Sequence, residues 1–456
     1  MIRLTLRRRL APLVAPILAA PALLLMLALP LRAEVAIQEV TSPGGLTAWL
    51  VEEHSIPFTA LEIRWAGGTS LDLPGKRGAT YLMTGLLEEG SGEGEAAMDS
   101  RAFGRAVEGL AAHFSYDAHS DGLSVSARFL TENRDEAVDL LRQSLVEPTF
   151  PEDAVERVKA QILSIIRNDA KDPQKIASTN FAAQTYGHHP YASPIEGTEQ
   201  SVTALDRDDM ITAWRNVMVK DRNRVSIAAV GDITPEELGV LLDRLLGDLP
   251  TRGGALPGPA EVTLTPGVSI TLFDTPQAQV IWGQQGLGME DPDFFPAYIL
   301  NQIIGGSGFD SRLMQEVREK RGLTYGIYCW LADRDYADIW MGSVASDNRR
   351  VAETIQVVRD EWARVARDGV TAEELEQAKK YMTGAYPLRF DGNGTIARIL
   401  VGMQHDGFPI DYPAGRNDRI NAVTLEEINR VARERLHPEK LRFIVVGQPE
   451  GLDEVN

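Results

Sequence analysis

Cysteine is almost absent from this chain, because Cys329 is the only one among 456 residues. A single thiol can form neither an intrachain disulfide nor a cysteine-based metal cluster, so both are excluded. Cys329 lies in a segment where apolar residues alternate, and this pattern predicts a buried, unreactive side chain.

An excess of basic residues is also missing. The chain has 46 Lys and Arg against 65 Asp and Glu, for a net charge of −19. Residues 1–33 hold five arginines and no acid, so the remainder carries −24. A nucleic-acid-binding protein needs a basic face, and this composition argues against that class. An acidic surface would suit cationic partners or peptides, although it serves solubility equally well.

Long apolar runs are missing after the N-terminus. Residues 10–31 form the one such run, and a cluster of arginines precedes it within the first nine residues. This order is typical of a secretory signal peptide, with a cleavage point after Ala33, and it predicts export to a periplasm-like compartment. The run is long enough to span a bilayer, so an uncleaved membrane anchor is the alternative. The prolines within the run favour the signal peptide.

The length and an internal repeat indicate two domains. A chain of 456 residues is too long for one ordinary core. Residues 226–231 are matched 216 positions later by residues 442–447, and similar segments precede both. We therefore predict an α+β fold of two homologous α/β-sandwich domains, each a mixed sheet packed by helices. The predicted boundaries are 34–250 and 261–456, with a Gly- and Pro-rich linker at 251–260. Chance likeness is the alternative.

Hydrophobic periodicity places the main elements of the first domain. The predicted strands are 46–51, 59–65, 113–117, 123–130 and 224–230, and the predicted helices are 79–88, 102–110, 132–146, 154–168 and 207–217. Residues 171–200 are predicted to be irregular.

The most informative stretch lies between residues 301 and 331. A glycine loop at 305–308 is followed by a helical pattern that ends at Gly322, and then by a strand pattern over 323–330. Asp310 or Ser311 is expected to cap the helix. The arrangement puts Arg318 and Tyr325 on either side of one tight corner.

Four segments together resemble the pitrilysin/insulinase family of zinc metallopeptidases, in the half-size branch that includes the mitochondrial processing peptidases. They are Gly-His-His-Pro-Tyr-Ala-Ser-Pro-Ile-Glu-Gly-Thr at 187–198, Val-Gly-Asp-Ile at 230–233, the glycine loop through Leu313, and Arg-Glu-Lys-Arg-Gly-Leu-Thr-Tyr at 318–325. The resemblance covers nearly all of residues 35–450. It implies that the two domains form half of a clam-shell.

The family's zinc motif is lost in this sequence. Members hold zinc with H-x-x-E-H on a helix and a glutamate some 75 residues later. The alignment puts Tyr81, Thr84 and Gly85 at the His, Glu and His positions, and Gln161 at the distal glutamate. None of these residues can replace the lost ligands or the general base. No other histidines have the motif's spacing. His113 and His119 could meet on a hairpin, but no carboxylate motif accompanies them.

The resemblance also implies roles for Arg318 and Tyr325. In the family, this pair grips the substrate backbone and stabilises charge at the scissile carbonyl, reaching a zinc site held by another domain or subunit. A guanidinium and a phenol are suitable donors for both tasks. The alternative is that Arg318 is an ordinary surface cation and Tyr325 a core residue of a strand.

These observations lead to one main hypothesis and two alternatives. The chain is expected to be an exported, zinc-less subunit of a heterodimeric zinc endopeptidase. It would have no cofactor of its own, zinc would lie in a homologous partner, and the substrate would be a peptide added along a sheet edge. The first alternative is a non-enzymatic peptide-binding or scaffold protein of the same fold. The second is a single-chain peptidase with a rebuilt site, and a homodimer also remains open.

Overall fold

A computed structural model describes residues 36–308 and 310–453. The predicted signal segment, residues 1–33, lies outside the described residues. From Ile37 onward the chain forms one compact unit. The predicted domain boundaries therefore stay a prediction, although two separate sheets are evident.

The strands are short to medium in length and fall into two groups along the chain. They are β1 (Gln38–Thr41), β2 (Thr47–Glu52), β3 (Phe58–Ala66), β4 (Gly90–Ser91), β5 (Met98–Asp99), β6 (His113–Ala118), β7 (Gly122–Leu130), β8 (Val225–Gly231), β9 (Gly267–Leu272), β10 (Gln277–Gln285), β11 (Ile327–Arg334), β12 (Ala337–Asp347) and β13 (Arg442–Gly447).

Helices lie between the strands in both groups, often several in succession. The α-helices are α1 (Ala79–Thr84), α2 (Ser100–Gly109), α3 (Arg134–Val146), α4 (Glu152–Asp169), α5 (Pro173–Tyr186), α6 (Glu199–Thr203), α7 (Arg207–Val217), α8 (Pro235–Leu246), α9 (Phe294–Gly305), α10 (Val351–Asp368), α11 (Ala372–Ala385), α12 (Asn393–His405), α13 (Tyr412–Ala422) and α14 (Leu425–Arg435). Short 3-10 turns span Gly68–Leu71, Gly94–Ala96, Thr131–Asn133, Pro190–Ala192, Pro387–Arg389 and Pro438–Lys440. Among the described residues, no helix combines the length and the apolar character that crossing a bilayer requires.

The two larger sheets share one topology. The first has the order β1-β2-β8-β3-β7-β6 and the second β11-β12-β10-β13-β9. In the first, β8 lies between β2, to which it is parallel, and β3, to which it is antiparallel. In the second, β13 lies in the same way between β9 and β10. The predicted fold class, two similar mixed sheets packed by helices, is confirmed.

The repeated segments at 226–231 and 442–447 lie in the central strands β8 and β13. Every residue of both strands is buried. A strand covered on both faces is expected to be an almost continuous apolar run, and this is why both copies were visible in the sequence.

One helix from each half crosses to the sheet of the other half. Helix α5 packs on β10 and β13, and α12 packs on β3 and β8. Phe181 of α5 fits against the sheet because Gly283 has no side chain, since a Cβ there would lie 2.8 Å from Cζ of Phe181. This reciprocal exchange buries the second face of each sheet and holds the two halves together.

The expectation that residues 171–200 are irregular was wrong, because α5 occupies Pro173–Tyr186. Asp172 caps this helix by accepting hydrogen bonds from the N–H groups of Gln174 and Lys175, and Pro173 takes the first helical position. The helix was missed because its apolar stripe is narrow.

The predicted helix at 79–88 is shorter in the structure, and α1 ends at Thr84. The hydroxyl of Thr84 donates to the carbonyl oxygen of Thr80 at 2.7 Å, within the same helix. Gly85 follows as the C-terminal cap, and turns continue to residue 89. Glycine lowers helix stability by its freedom in the unfolded chain, which favours an end here.

The corner after the glycine loop also differs from prediction. Met314–Glu319 is a π-helix, and no side chain caps it, so neither Asp310 nor Ser311 has the expected role. The following strand begins at Ile327 rather than at residue 323. The hydroxyl of Thr324 donates to the carbonyl oxygen of Ala345 at 2.7 Å and accepts from the N–H of Gly326 at 3.2 Å, and these side-chain contacts replace regular strand pairing there.

Candidate functional site

The four positions of the lost zinc motif come from two helices that touch. Tyr81 and Thr84 lie on α1, Gly85 ends it, and Gln161 lies on α4. A Cβ on Gly85 would be 3.3 Å from a methyl carbon of Val158, one turn before Gln161. The structure therefore brings the two parts of the motif to the same region, as the resemblance implies.

None of the side chains at these positions is suited to hold a metal. Burial raises the pKa of Tyr81, so its phenol stays neutral at ordinary pH. Thr84 is buried and its hydroxyl is already hydrogen-bonded within its own helix. Among the described residues, no group of three or more His, Cys, Asp or Glu could hold a metal ion.

His113 and His119 do not meet, contrary to the hairpin expectation. His113 begins β6 and His119 follows its last residue, so both belong to one strand and its turn. Six residues of extended chain separate them by about 20 Å. The two imidazoles therefore lie too far apart to bind the same metal ion.

Arg318 lies near the C-terminal end of the π-helix. Its side chain is 31% exposed, and its Nε lies 3.5 Å from a carboxylate oxygen of Glu319. Its carbonyl oxygen accepts a hydrogen bond from the N–H of Gly322 at 2.8 Å. π-Helical turns are rare and are often found at functional sites, because the extra residue changes the direction of the side chains.

Tyr325 lies in the bend between the π-helix and β11, and its side chain is 88% exposed. The backbone around it is fixed on both sides. The N–H of Leu323 donates to the carbonyl oxygen of Val317, and the hydroxyl of Ser346 donates to that of Leu323. A fixed backbone thus presents a phenol that makes little contact with the rest of the described chain.

This exposure excludes the alternative in which Tyr325 is a core residue of a strand. The structure places Arg318 and Tyr325 on the same short segment, seven residues apart. Their roles toward substrate stay a prediction.

Cys329 is buried, as predicted, and burial raises the pKa of its thiol. The glycine loop packs directly on it, since a Cβ on Gly305 would lie 2.7 Å from its sulfur. The loop is also held by α11, where the hydroxyl of Tyr381 lies 3.4 Å from that of Ser307. Cys329 therefore supports the loop before the π-helix and is not a reactive group.

Sequence reasoning missed two aromatic residues that extend the exposed surface of Tyr325. Tyr328 and Trp330 lie on β11, an edge strand, and are 45% and 38% exposed. Their alternation with the buried Ile327 and Cys329 was the available signal. An edge strand leaves main-chain N–H and C=O groups free to pair with an added strand.

Comparison with known proteins gives consistent matches along the chain. The family model described as insulinase (peptidase family M16) matches residues 53–199, and the one described as peptidase M16 inactive domain matches residues 204–382. The "non-peptidase homolog YmxG" of Helicobacter pylori is 25% identical over 87% of this chain and 90% of its own length. A "probable mitochondrial-processing peptidase subunit beta" of Schizosaccharomyces pombe is 23% identical over 92% and 93%.

Solved structures agree with the sequence relatives. A crystal structure of a peptidase M16 inactive domain from Pseudomonas fluorescens has a TM-score of 0.84 and 27% sequence identity, and covers 92% of this chain and all of its own.

Proposed function

Because the chain belongs to peptidase family M16, we propose that it is the zinc-less subunit of a two-chain zinc endopeptidase. The observation that carries this proposal is the side chain of Tyr325, which is 88% exposed on a fixed bend. The positions of this chain that align with the family's zinc motif are all occupied by other residues. An exposed phenol on the same short segment as Arg318 is what a role in the partner's active site requires.

In this proposal the partner subunit carries H-x-x-E-H and zinc, and the zinc supplies a Lewis acid and an activated water. Arg318 binds the substrate main chain through its fixed guanidinium donors. The phenol of Tyr325 donates a hydrogen bond to the oxygen of the scissile carbonyl as negative charge develops on it. A donor of this kind contributes roughly 2.7–4 kcal/mol to transition-state stabilisation.

The substrate would be an unfolded peptide in extended conformation. The strand β11 is an edge of its sheet and begins two residues after Tyr325, so a peptide could add to it as a further strand. The net charge of −19 suits a peptide and does not suit a nucleic acid. Main-chain pairing of this kind depends only weakly on the side chains of the substrate.

A second candidate is a non-enzymatic peptide-binding or scaffold protein. The name of the Helicobacter pylori relative, a non-peptidase homolog, favours it. Both candidates share the fold and the edge strand. They differ in whether Arg318 and Tyr325 affect the turnover of any peptidase.

We also propose export to a periplasm-like compartment, on the basis of the sequence of residues 1–33. Cell fractionation with N-terminal sequencing of the purified chain tests this. Recovery in the envelope fraction with a new N-terminus near Glu34 is expected. Recovery of the uncut chain in the membrane would instead favour an anchor.

Native co-purification from the organism's envelope fraction tests the main proposal. The expected result is a protein of similar size with an intact H-x-x-E-H motif, at about one copy per copy of this chain. The two purified chains together should cleave unfolded peptides, and neither should do so alone. Recovery of this chain alone or only with itself would contradict the proposal and favour the scaffold function.

A further inference from the structure

A polar cavity of about 200 Å³ lies at the junction of the two halves. The first half contributes Thr47 at the start of β2 and the turn at 222–224 that precedes β8. The second half contributes Asp335, in the turn between β11 and β12, and the last residues of α12. At about 30 Å³ per water molecule, the cavity has room for roughly seven waters, or for one small organic molecule.

One wall of the cavity is positively charged. It carries Arg222 and Arg224, and Asp221 fixes their turn by accepting hydrogen bonds from the main chain of Asn223 and Arg224. The guanidinium of Arg224 donates to the carbonyl oxygens of Gly254 at 2.6 Å and Ala66 at 3.0 Å. Neutral carbonyls hold this group in place but do not balance its charge.

Arg224 keeps unused bonding capacity. Its Nε is buried and has no hydrogen-bond partner among the described residues. Burial lowers its pKa, with Asp221 and Tyr336 acting in the opposite direction. Within the part of the chain that the structure describes, neither Arg222 nor Arg224 forms an ion pair. A fixed cation without an ion-pair partner is a suitable binding group for a carboxylate.

Another part of the wall carries a carboxylate. Asp335 is 29% exposed and lies 3.5 Å from Nε2 of His405, whose side chain is 5% exposed. His405 is the last residue of α12, where the partial negative charge of the helix end lies. This wall therefore suits a cation.

Neutral polar groups also line the cavity. The side chains of Thr47, Asn223 and Ser226 line the cavity and form no hydrogen bond with other described side chains or main-chain groups. They can each donate and accept. The lining of the cavity thus offers neutral hydrogen-bonding groups together with groups of both charges.

We propose that this cavity binds a small zwitterion, an α-amino acid or a dipeptide of small residues, with its carboxylate on Arg222 and Arg224 and its ammonium on Asp335. A dianion such as phosphate would lie against Asp335, and a simple amine against the two arginines. A molecule with both charges avoids either repulsion. The ligand would touch both halves, so binding would stabilise their contact.

Binding to the purified full chain tests the proposal directly, by calorimetry and by thermal unfolding. The probes are L-alanine and alanyl-alanine, with propionate and ethylamine as analogues that each lack one charge, and inorganic phosphate. Saturable binding of a zwitterion is expected, with a rise in the unfolding temperature. Each single-charge analogue should bind at least about tenfold more weakly than the zwitterion. No saturable binding of either zwitterion would overturn the proposal, as would equal binding of propionate or phosphate.

Two variants locate the site. Arg222→Ala should weaken zwitterion binding by about tenfold or more, and Asp335→Asn should remove the preference for alanine over propionate. Arg222 is exposed, and its side chain forms no hydrogen bond or ion pair with other described residues, so its variant is expected to fold. Arg105→Ala on α2 is the matched control and should bind normally. Normal binding by Arg222→Ala would overturn the proposed site, and peptidase activity enters none of these measurements.

Discussion

The hydroxyl of Thr324 donates a hydrogen bond to the carbonyl oxygen of Ala345 at 2.7 Å. This contact ties the bend that carries Tyr325 to the neighbouring strand β12. Regular strand pairing in β11 begins only at Ile327, four residues later than the alternating sequence indicates. The position of the exposed phenol therefore depends on the side chain of its neighbour Thr324.

Thr324→Val should loosen this bend. The variant keeps the shape of the side chain and loses the hydroxyl, which is expected to lower the free energy of unfolding by about 1 kcal/mol. Turnover by the two-chain complex should fall by about tenfold, because the phenol is less well positioned. Thr383→Val on α11, whose hydroxyl bonds only within its own helix, is the control. Unchanged turnover would show that the hydrogen bond of Thr324 does not contribute to catalysis.

Tyr325→Phe should lower kcat of the complex by about 10²–10³-fold with little change in KM, since the lost hydrogen bond forms mainly in the transition state. Arg318→Ala should lower kcat/KM and leave assembly intact. The controls are Tyr298→Phe and Arg101→Ala, which remove a phenol hydroxyl and an exposed guanidinium elsewhere in the described chain. Steady-state kinetics with an unfolded peptide measure all four. Wild-type kinetics for Tyr325→Phe would remove it from the mechanism.

Gly283→Ala should weaken the exchange of helices between the halves. A Cβ there would lie 2.8 Å from Cζ of Phe181 and 3.2 Å from the carbonyl oxygen of Trp340. Overpacking at such a contact costs about 1–3 kcal/mol, which denaturant unfolding would show. In Gly104→Ala the new methyl meets no other atom, and this helical position should gain about 0.5–1 kcal/mol. Equal effects of the two substitutions would contradict the packing role of Gly283.

Glu62 should make the protein less stable as pH rises. Burial between β3 and α12 raises its pKa from 4.5 to about 7, while the hydroxyl of Ser126 and Arg398 act in the opposite direction. Between these two values the folded state keeps a proton that the unfolded state has lost, so the free energy of unfolding falls with rising pH. The full effect above pH 7 is about 3 kcal/mol.

Glu62→Gln should therefore be close to wild type near pH 4.5 and more stable than wild type at pH 8, by about 1–3 kcal/mol. Asp338, whose pKa is also raised to about 7, contributes a slope of the same sign to both proteins. Glu39→Gln, at an exposed position of β1, is the control. A stability difference that does not change with pH would show that Glu62 is ionised throughout.

A zinc chelator should affect the two-chain complex and leave the isolated chain unchanged. The isolated chain should contain less than about 0.1 zinc per molecule by mass spectrometry, because none of its residues replaces the ligands of H-x-x-E-H. Its unfolding temperature should not change with chelator, whereas the complex should lose activity. Stoichiometric zinc in the isolated chain would revive the single-chain peptidase with a rebuilt site.

Most of the fold was readable from the sequence, because buried central strands are continuous apolar runs. The segments at 226–231 and 442–447 are of this kind, and they led to the duplicated fold. Helix α5 was not found. It uses a narrow stripe that includes Ala177 and Phe181, and these residues pack on a sheet about a hundred positions away in sequence. Periodicity within a window carries no information about such a partner.

The candidate site was also predictable from the sequence only in part. The spacing of Arg318 and Tyr325 was visible in the sequence, but alternation from Leu323 to Cys329 fits a buried strand residue as well as an exposed one. Thr324 and Ser346 decide between them by tying the bend to β12.

The sequence by itself determined what chemistry the chain lacks. Ligand identity is a property of single residues, so the resemblance together with Tyr81, Thr84, Gly85 and Gln161 predicts the loss of the family's zinc site without any structure. Only the tertiary structure decided which groups meet. The exchange of α5 and α12 and the cavity between Arg222 and Asp335 depend on residues more than 100 positions apart, and contacts over that distance are set by packing of the whole chain.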